Sequence, residues 1–250
     1  MPRAPRERCP APGFRYARTN TVTKPIEHTA RTYEQELAAL RQSLLLMAGR
    51  VEEMIARSGR ALADRDAEFA RRTIELDGAV NRAEVDIDEM CMLILAKRQP
   101  MASDLRFVTL AMKMVTDLER IADLAVNICE RAIDLSRGNP VVVHRDVPRM
   151  SAVVESMVKD AIDAFVSGSA AKAREVISRD DEVDALYHRV FGELLESMRA
   201  DPATMHEIIH VQSVAKWLER IADHSTNIAE LVIYMVEGRD VRHPGKRGAG

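Results

Sequence analysis

The first residues with the chemistry of a binding site are two pairs of acids that recur along the chain. Glu119 and Asp123 are four residues apart, and Glu219 and Asp223 repeat the pair 100 residues later. Residues at positions i and i+4 of a helix lie on one face, so each pair places two carboxylates one turn apart. Like charges at this spacing repel one another, and a bound cation would remove the repulsion.

A second set of oxygen-bearing side chains stands earlier in each half. Asp77 and Asn81 have the same spacing, and Asp180 and Asp184 repeat it 103 residues later. Carboxylate and amide oxygens are typical ligands of hard cations such as Mg2+, Mn2+, Ca2+ and ferric iron. We therefore predict an oxygen-rich metal site between neighbouring helices in each half, with His188 as the one imidazole placed to join it.

A metal-free interpretation stays open for the same residues. Runs of charged side chains usually mark a helix face that is exposed to water. Arg120 and Arg220 directly follow the two glutamates and would neutralise them in part. On this interpretation the acidic stripes belong to a structural scaffold and meet the basic surface of a partner protein.

A histidine motif in the second half suggests a different chemistry. His206, Glu207 and His210 form the pattern His-Glu-x-x-His of zinc hydrolases. Residues 204–236 contain neither Gly nor Pro, so one continuous helix is predicted there. Glu230, the candidate third ligand, would then lie about 30 Å from His210. The spacing therefore disfavours a zinc hydrolase, and we predict no catalytic residues.

Composition narrows the remaining classes. The net charge of −3 gives no basic field for binding nucleic acid. Cys9, Cys91 and Cys129 are widely spaced, which favours free thiols in a reducing compartment. No apolar run reaches the roughly 18 residues of a spanning helix. We expect a cytoplasmic protein without membrane insertion.

An internal duplication provides the elements that position these residues. The run Leu-Glu-Arg-Ile-Ala-Asp at 118–123 recurs at 218–223. Apolar residues recur at spacings of three and four through both halves, which predicts helices. The predicted helices of each half form the same plan, and their ranges are 26–60, 61–99, 104–136, 150–167, 170–199 and 204–236.

The plan predicts an all-α fold of two tandem antiparallel three-helix bundles related by internal duplication. A short break near 64–66 is expected between the first two helices. The expected organisation consists of a disordered tail, a first bundle, a linker, a second bundle and a second disordered tail, at residues 1–25, 26–140, 141–148, 149–238 and 239–250.

The same residues resemble the PhoU family. The resemblance lies in the segment 99–106 (Gln-Pro-Met-Ala-Ser-Asp-Leu-Arg), the two Leu-Glu-Arg-Ile-Ala-Asp runs and the segment 180–184. It implies that the acidic motifs bind metal clusters of iron, manganese, magnesium or zinc. The residues to which this role falls are Asp77, Asn81, Glu119, Asp123, Asp180, Asp184, Glu219 and Asp223. The sequence departs from the family at Ala122 and Ala222, where Gly is frequent, and at Asn81, where an acid is expected.

The resemblance also implies a biological role. PhoU proteins are cytoplasmic, often homodimeric, negative regulators of phosphate uptake and of the phosphate-starvation response. They are thought to link a phosphate ABC transporter to a sensor histidine kinase. An accessory protein of phosphate-specific transport, without enzymatic activity, is therefore the expected function.

Overall fold

The computed structural model describes residues 25–137 and 145–241, and every regular element within them is a helix. The α-helices are α1 (Pro25–Asp64), α2 (Ala67–Ile74), α3 (Asp77–Arg98), α4 (Ala102–Arg137), α5 (Asp146–Ser167), α6 (Ala170–Ser178), α7 (Asp180–Ala200) and α8 (Met205–Glu237). A single 3-10 turn, Pro202–Thr204, joins α7 to α8. The all-α prediction is confirmed.

The helices form two bundles that repeat one another. The first contains α1, the pair α2–α3 and α4, and the second contains α5, the pair α6–α7 and α8. The apolar stripes face inward, and Leu40, Leu44 and Met47 of α1 are completely buried. The helices are amphipathic, and none in the described residues is long and apolar enough to cross a membrane.

The middle helix of each bundle is divided, which corrects the predicted ranges 61–99 and 170–199. In the first bundle α2 ends at Ile74 and α3 begins at Asp77, and in the second Arg179 separates α6 from α7. The predicted break near 64–66 is confirmed, since Arg65 has a positive φ of 51° and Asp66 caps α2. The extra breaks matter for the acidic sites because they place Asp77 and Asp180 in the first turn of a helix.

The two bundles pack through α4 and α8, which run antiparallel. Three pairs define the register along the contact. Arg106 Nε donates to the Met235 carbonyl at 3.3 Å, His224 Nδ1 lies 2.8 Å from Asp117 Oδ1, and Arg131 lies 3.4 Å from His210 Nδ1. The buried apolar faces of α4 and α8 therefore serve both their own bundles and the contact between them.

The predicted tails and linker fall mostly outside the described residues. The ranges 1–25, 141–148 and 239–250 overlap them only at Pro25, at 145–148 and at 239–241. Within the predicted linker α5 already begins at Asp146, which corrects the end of that range. The assignment of disorder and the other domain limits stay predictions.

The thiols of Cys91 and Cys129 should be inert in the folded protein. Both side chains are completely buried, and burial raises the pKa of each thiol to about 12. Because only thiolates react quickly, a Cys9→Ser protein should show almost no reaction with a disulfide reagent at pH 8. Unfolding in denaturant should release both thiols. Rapid native labelling of either cysteine, located by mass spectrometry, would contradict the packing described here.

Candidate metal centres

The first candidate site lies where the start of α3 faces the middle of α4. Asp77 stands in the first turn of α3, while Glu119 and Asp123 lie one turn apart on α4. Burial raises the pKa of Asp77, and the nearby charge of Asp123 raises it further. Asn81 Nδ2 donates a hydrogen bond of 2.8 Å to Asp77 Oδ2, whereas the buried Asp77 Oδ1 has no hydrogen-bond partner. The four predicted residues of the first half therefore meet across one helix pair.

Glu84 belongs to the same cluster, although we did not include it among the predicted ligands. Its position, seven residues after Asp77, places it two turns further along the same face of α3. Burial raises the pKa of Glu84, and the charges of Asp88 and Asp123 add to the effect. Glu84 in turn raises the pKa of Glu119. The spacing of seven residues from Asp77 is the sequence signal that could have identified Glu84.

The second candidate site has the same design between α7 and α8. Asp180 lies in the first turn of α7, and burial together with the charges of Asp223 and Asp184 raises its pKa to about 6. The pKa of Asp223 is raised by burial, by Glu219 and by Asp184. All four predicted residues of the second half are therefore close enough to repel one another electrostatically. We refer below to Asp180, Asp184, Glu219 and Asp223 as the second acidic cluster.

Each acidic cluster contacts a different basic side chain. In the first, Arg120 lies 3.5 Å from Glu119 and 3.4 Å from Asp123. In the second, Lys216 Nζ lies 2.7 Å from Glu219, so the contact comes from Lys216 and not from the predicted Arg220. One basic side chain beside four carboxylates leaves a net negative charge in each cluster.

The donor chemistry of both clusters fits a hard cation. The ligands offered are carboxylate oxygens, with one amide at Asn81 in the first cluster. The orphaned Asp77 Oδ1 and the mutually raised pKa values are features that a cation would relieve. However, no three His, Cys, Asp or Glu side chains within residues 25–137 and 145–241 converge into a ready-made coordination shell. Binding would therefore require side-chain rotamers to change.

Other acidic and amide residues of these helices, and the predicted extra ligand His188, have different contacts. Asn227 Nδ2 donates to Asp117 Oδ1 at 3.3 Å, in the contact between α4 and α8. Glu130 lies 3.6 Å from Arg131. His188 is exposed and its ring lies 5.7 Å from the ring of Tyr187. These contacts give no additional ligand to either cluster.

The His-Glu-x-x-His motif lacks the surroundings of a zinc hydrolase. Helix α8 is continuous from Met205 to Glu237, so no later residue turns back toward the motif. Arg131 lies 3.4 Å from His210 Nδ1, which places a positive charge beside the imidazole that would have to bind a metal dication. Burial and the charge of Arg131 lower the pKa of His210. The rings of His206 and His210 lie 4.6 Å apart, with His206 exposed and Glu207 buried.

Asp180→Asn should stabilise the metal-free protein at neutral and alkaline pH. A carboxyl whose pKa is raised from 3.8 to about 6 is charged at a cost in the folded state, so stability is lost as the pH rises through this window. We expect the substitution to increase the free energy of unfolding at pH 8 by roughly 1 kcal/mol, after allowing for the partial exposure of the site. The gain should disappear near pH 4.

Urea unfolding in the presence of a chelator measures this difference. Glu89→Gln, which removes an exposed carboxylate from α3, provides the control and should change stability little at either pH. An equal gain in both variants, or a destabilised Asp180→Asn protein at pH 8, would contradict repulsion within the second cluster.

Comparisons with known proteins place the chain in a family. The model of the PhoU domain matches twice, at residues 44–132 and 147–232. The phosphate-specific transport system accessory protein PhoU homolog of Pseudomonas aeruginosa is 41% identical over 219 residues, which cover 87% of this chain and 90% of that protein. The corresponding homolog of Caulobacter vibrioides is 38% identical over 216 residues, covering 86% and 94%.

Solved structures agree with the sequence comparisons. The crystal structure of PhoU from Pseudomonas aeruginosa superposes with a TM-score of 0.81 at 40% identity, covering 83% of this chain and 100% of that one. The phosphate transport system regulatory protein PhoU from Streptococcus pneumoniae gives 0.78 at 30% identity, covering 84% and 99%. The two matches of the domain model correspond to the two bundles, and the chain belongs to the PhoU family.

Proposed function

We propose that this protein is a metal-binding accessory protein of a phosphate-specific transport system. It acts without catalysis as a negative regulator of phosphate uptake and of the phosphate-starvation response. The relatives at 38–41% identity carry the accessory role in their names. The observation that carries the metal-binding part is the pair of acidic clusters, one on the same helix pair of each bundle, whose carboxylates raise one another's pKa values.

A bound metal ion would supply positive charge that balances the carboxylates of each cluster. Iron, manganese, magnesium or zinc are the candidates, and the oxygen ligands favour the harder ions among them. Asp77, Asn81, Glu119 and Asp123 would hold the first ion or cluster of ions, and the second acidic cluster would hold the other. Each site lies between the start of one helix and the middle of its neighbour. A bound ion would therefore strengthen the contact between α3 and α4 in the first bundle and between α7 and α8 in the second.

The regulatory part of the proposal concerns partners. A cytoplasmic adaptor, as a monomer or a homodimer, would contact the phosphate ABC transporter and a sensor histidine kinase. It would need exposed surfaces rather than a catalytic cleft. The motif at His206 contributes no hydrolytic activity to this proposal, since Arg131 lies against His210.

A metal-free scaffold is the second candidate, because Arg120 and Lys216 already contact three of the carboxylates. On this alternative the acidic faces bind a basic partner surface, and stoichiometric metal is absent. Partner binding would then weaken strongly as salt is added.

Metal content separates the two candidates. Protein purified without chelator should contain metal by elemental analysis, and Glu219→Ala with Asp223→Ala should remove about half of it while the fold persists. Glu34→Ala with Glu89→Ala, a matched pair of exposed carboxylates outside the clusters, should leave the content unchanged. Equal metal in all three proteins would exclude the assigned ligands, and no metal in any of them would favour the scaffold.

Gene expression tests the regulatory role. A strain without this protein should express phosphate-starvation genes in phosphate-rich medium, and the wild-type chain should restore repression. If metal is required, Glu219→Ala with Asp223→Ala should fail to restore it at equal protein level. The Glu34→Ala and Glu89→Ala protein is the control. Normal repression in the deletion strain would refute the proposed role.

A further inference from the structure

The second bundle carries an exposed apolar patch at the end of the α7–α8 pair. The patch consists of four side chains that are between 39% and 50% exposed: Phe191, Leu195, Met205 and Ile209. The residues recur at spacings of four, so each pair lies on one face of its helix. The short 3-10 turn joins the end of α7 to the start of α8, and the two helices pack against one another, so both pairs stand at the same end of the helix pair. Exposed apolar side chains grouped at one end of a helix pair are typical of a binding site.

The patch is continuous with the second acidic cluster. Lys216 Nζ contacts Glu219 at 2.7 Å and lies 5.2 Å from the centre of the Tyr187 ring. Gln212 Nε2 donates to the Tyr187 hydroxyl at 3.3 Å, and the Tyr187 ring lies 6.4 Å from that of Phe191. One face of the helix pair thus changes from carboxylate through Lys216 and Tyr187 to apolar side chains.

The first bundle does not repeat this continuity. At the offsets of 103 and 100 residues found in the duplication, Tyr187, Phe191 and Ile209 correspond to Glu84, Asp88 and Thr109. The outer ends remain similar, since Met92 and Leu105 correspond to Leu195 and Met205 and are also exposed. The two copies therefore share an acidic cluster and an apolar end, and differ in the side chains between them.

We propose that the α7–α8 face of the second bundle is a docking surface for a basic amphipathic helix of a partner protein. The partner's apolar residues would cover Phe191, Ile209 and their neighbours, and its Lys or Arg residues would lie over the second acidic cluster. Apolar burial supplies the affinity in this mode of recognition, while complementary charge fixes the orientation. The inference deepens the proposed adaptor role and rests on it.

Charge favours such a partner over a second copy of this chain. In a twofold contact the face would meet itself, so the second acidic cluster of each copy would approach a surface that carries the same four carboxylates. The second acidic cluster would then stay largely uncompensated. A segment rich in Lys and Arg supplies what the face lacks. A metal ion bound to the same carboxylates would compete with that segment.

Peptide binding in a chelating buffer tests the surface. The probe is a fluorescent helical peptide of about 18 residues with Leu on one face and Lys on the other, and its matched control has Glu in place of Lys. The Lys peptide should bind saturably and the Glu peptide should not. Phe191→Ser with Ile209→Ser should weaken binding roughly tenfold or more, from the lost apolar burial. Val85→Ser with Val166→Ser, two exposed valines elsewhere, should have no effect.

A second experiment tests whether a peptide-binding surface can be created on the first bundle. Glu84→Tyr, Asp88→Phe, Thr109→Ile and Thr116→Lys together give the first bundle these side chains of the second. They should raise the stoichiometry from one peptide to two. Absence of saturable binding, equal binding of the two peptides, or unchanged affinity after Phe191→Ser and Ile209→Ser would overturn the proposal. So would a shift from dimer to monomer in that variant, because a second copy would then cover the patch.

Measuring metal content distinguishes a failure of the docking surface from a failure of the proposed metal sites. The Phe191→Ser and Ile209→Ser protein retains every candidate ligand, so its metal content should equal that of the wild type. Normal metal with lost peptide binding supports the docking surface. Normal peptide binding by a protein that contains no metal when it is purified without chelator would refute the metal sites and leave the docking surface standing.

Discussion

The contact between α4 and α8 is the constraint on which the rest of the molecule depends. Each of these helices packs against the other helices of its own bundle and also against the other long helix, so its apolar surface is buried on more than one side. The pairs Arg106–Met235, Asp117–His224 and Arg131–His210 fix the antiparallel register. Because the inner faces are committed to packing, Glu119, Asp123, Glu219 and Asp223 are left on faces turned toward the outer helices α3 and α7.

The acidic clusters impose a cost that this packing must offset. Carboxylates brought together at the edge of a buried helix pair lose hydration and repel one another, which is why the pKa of Asp180 rises to about 6. A single basic residue in each cluster recovers part of the loss. The large apolar core that the two bundles share supplies stability that offsets this cost. Local destabilisation of this kind is common where a protein is built to bind a charge.

The sequence predicted the fold and the location of the clusters well, for reasons that particular residues make clear. The apolar spacing of Leu40, Leu44 and Met47 depends only on helical geometry, and the duplication at 118–123 and 218–223 required both bundles to follow one plan. The breaks after Ile74 and at Arg179 were missed because the residues around them are compatible with helix. Tertiary contacts lie beside both breaks, namely that of Arg57 with the buried Thr73 and that of Arg179 with Asp160.

The basic side chains that contact the clusters were predicted only in part. Arg120 is adjacent in sequence to Glu119, and it does contact the cluster. Arg220 occupies the equivalent place, yet Lys216, one turn earlier on α8, makes the contact in the second bundle. Lys216 and Glu219 form an i,i+3 pair on α8 itself, and the first bundle has Thr116 at the position that corresponds to Lys216. Lys216 also lies over the ring of Tyr187, where the first bundle has Glu84. The spacing of Lys216 and Glu219 was therefore visible in the sequence.

The difference between Glu84 and Tyr187 at this position gives the two bundles different surfaces beside their acidic clusters. In the first bundle the position adds a carboxylate to the cluster, as the effect of Glu84 on the pKa of Glu119 indicates. In the second it replaces that carboxylate with an aromatic ring that leads to Phe191. The shared helix plan preserves the charge-binding arrangement in both bundles, while side chains one and two turns further along the same face give each bundle a different surface to present.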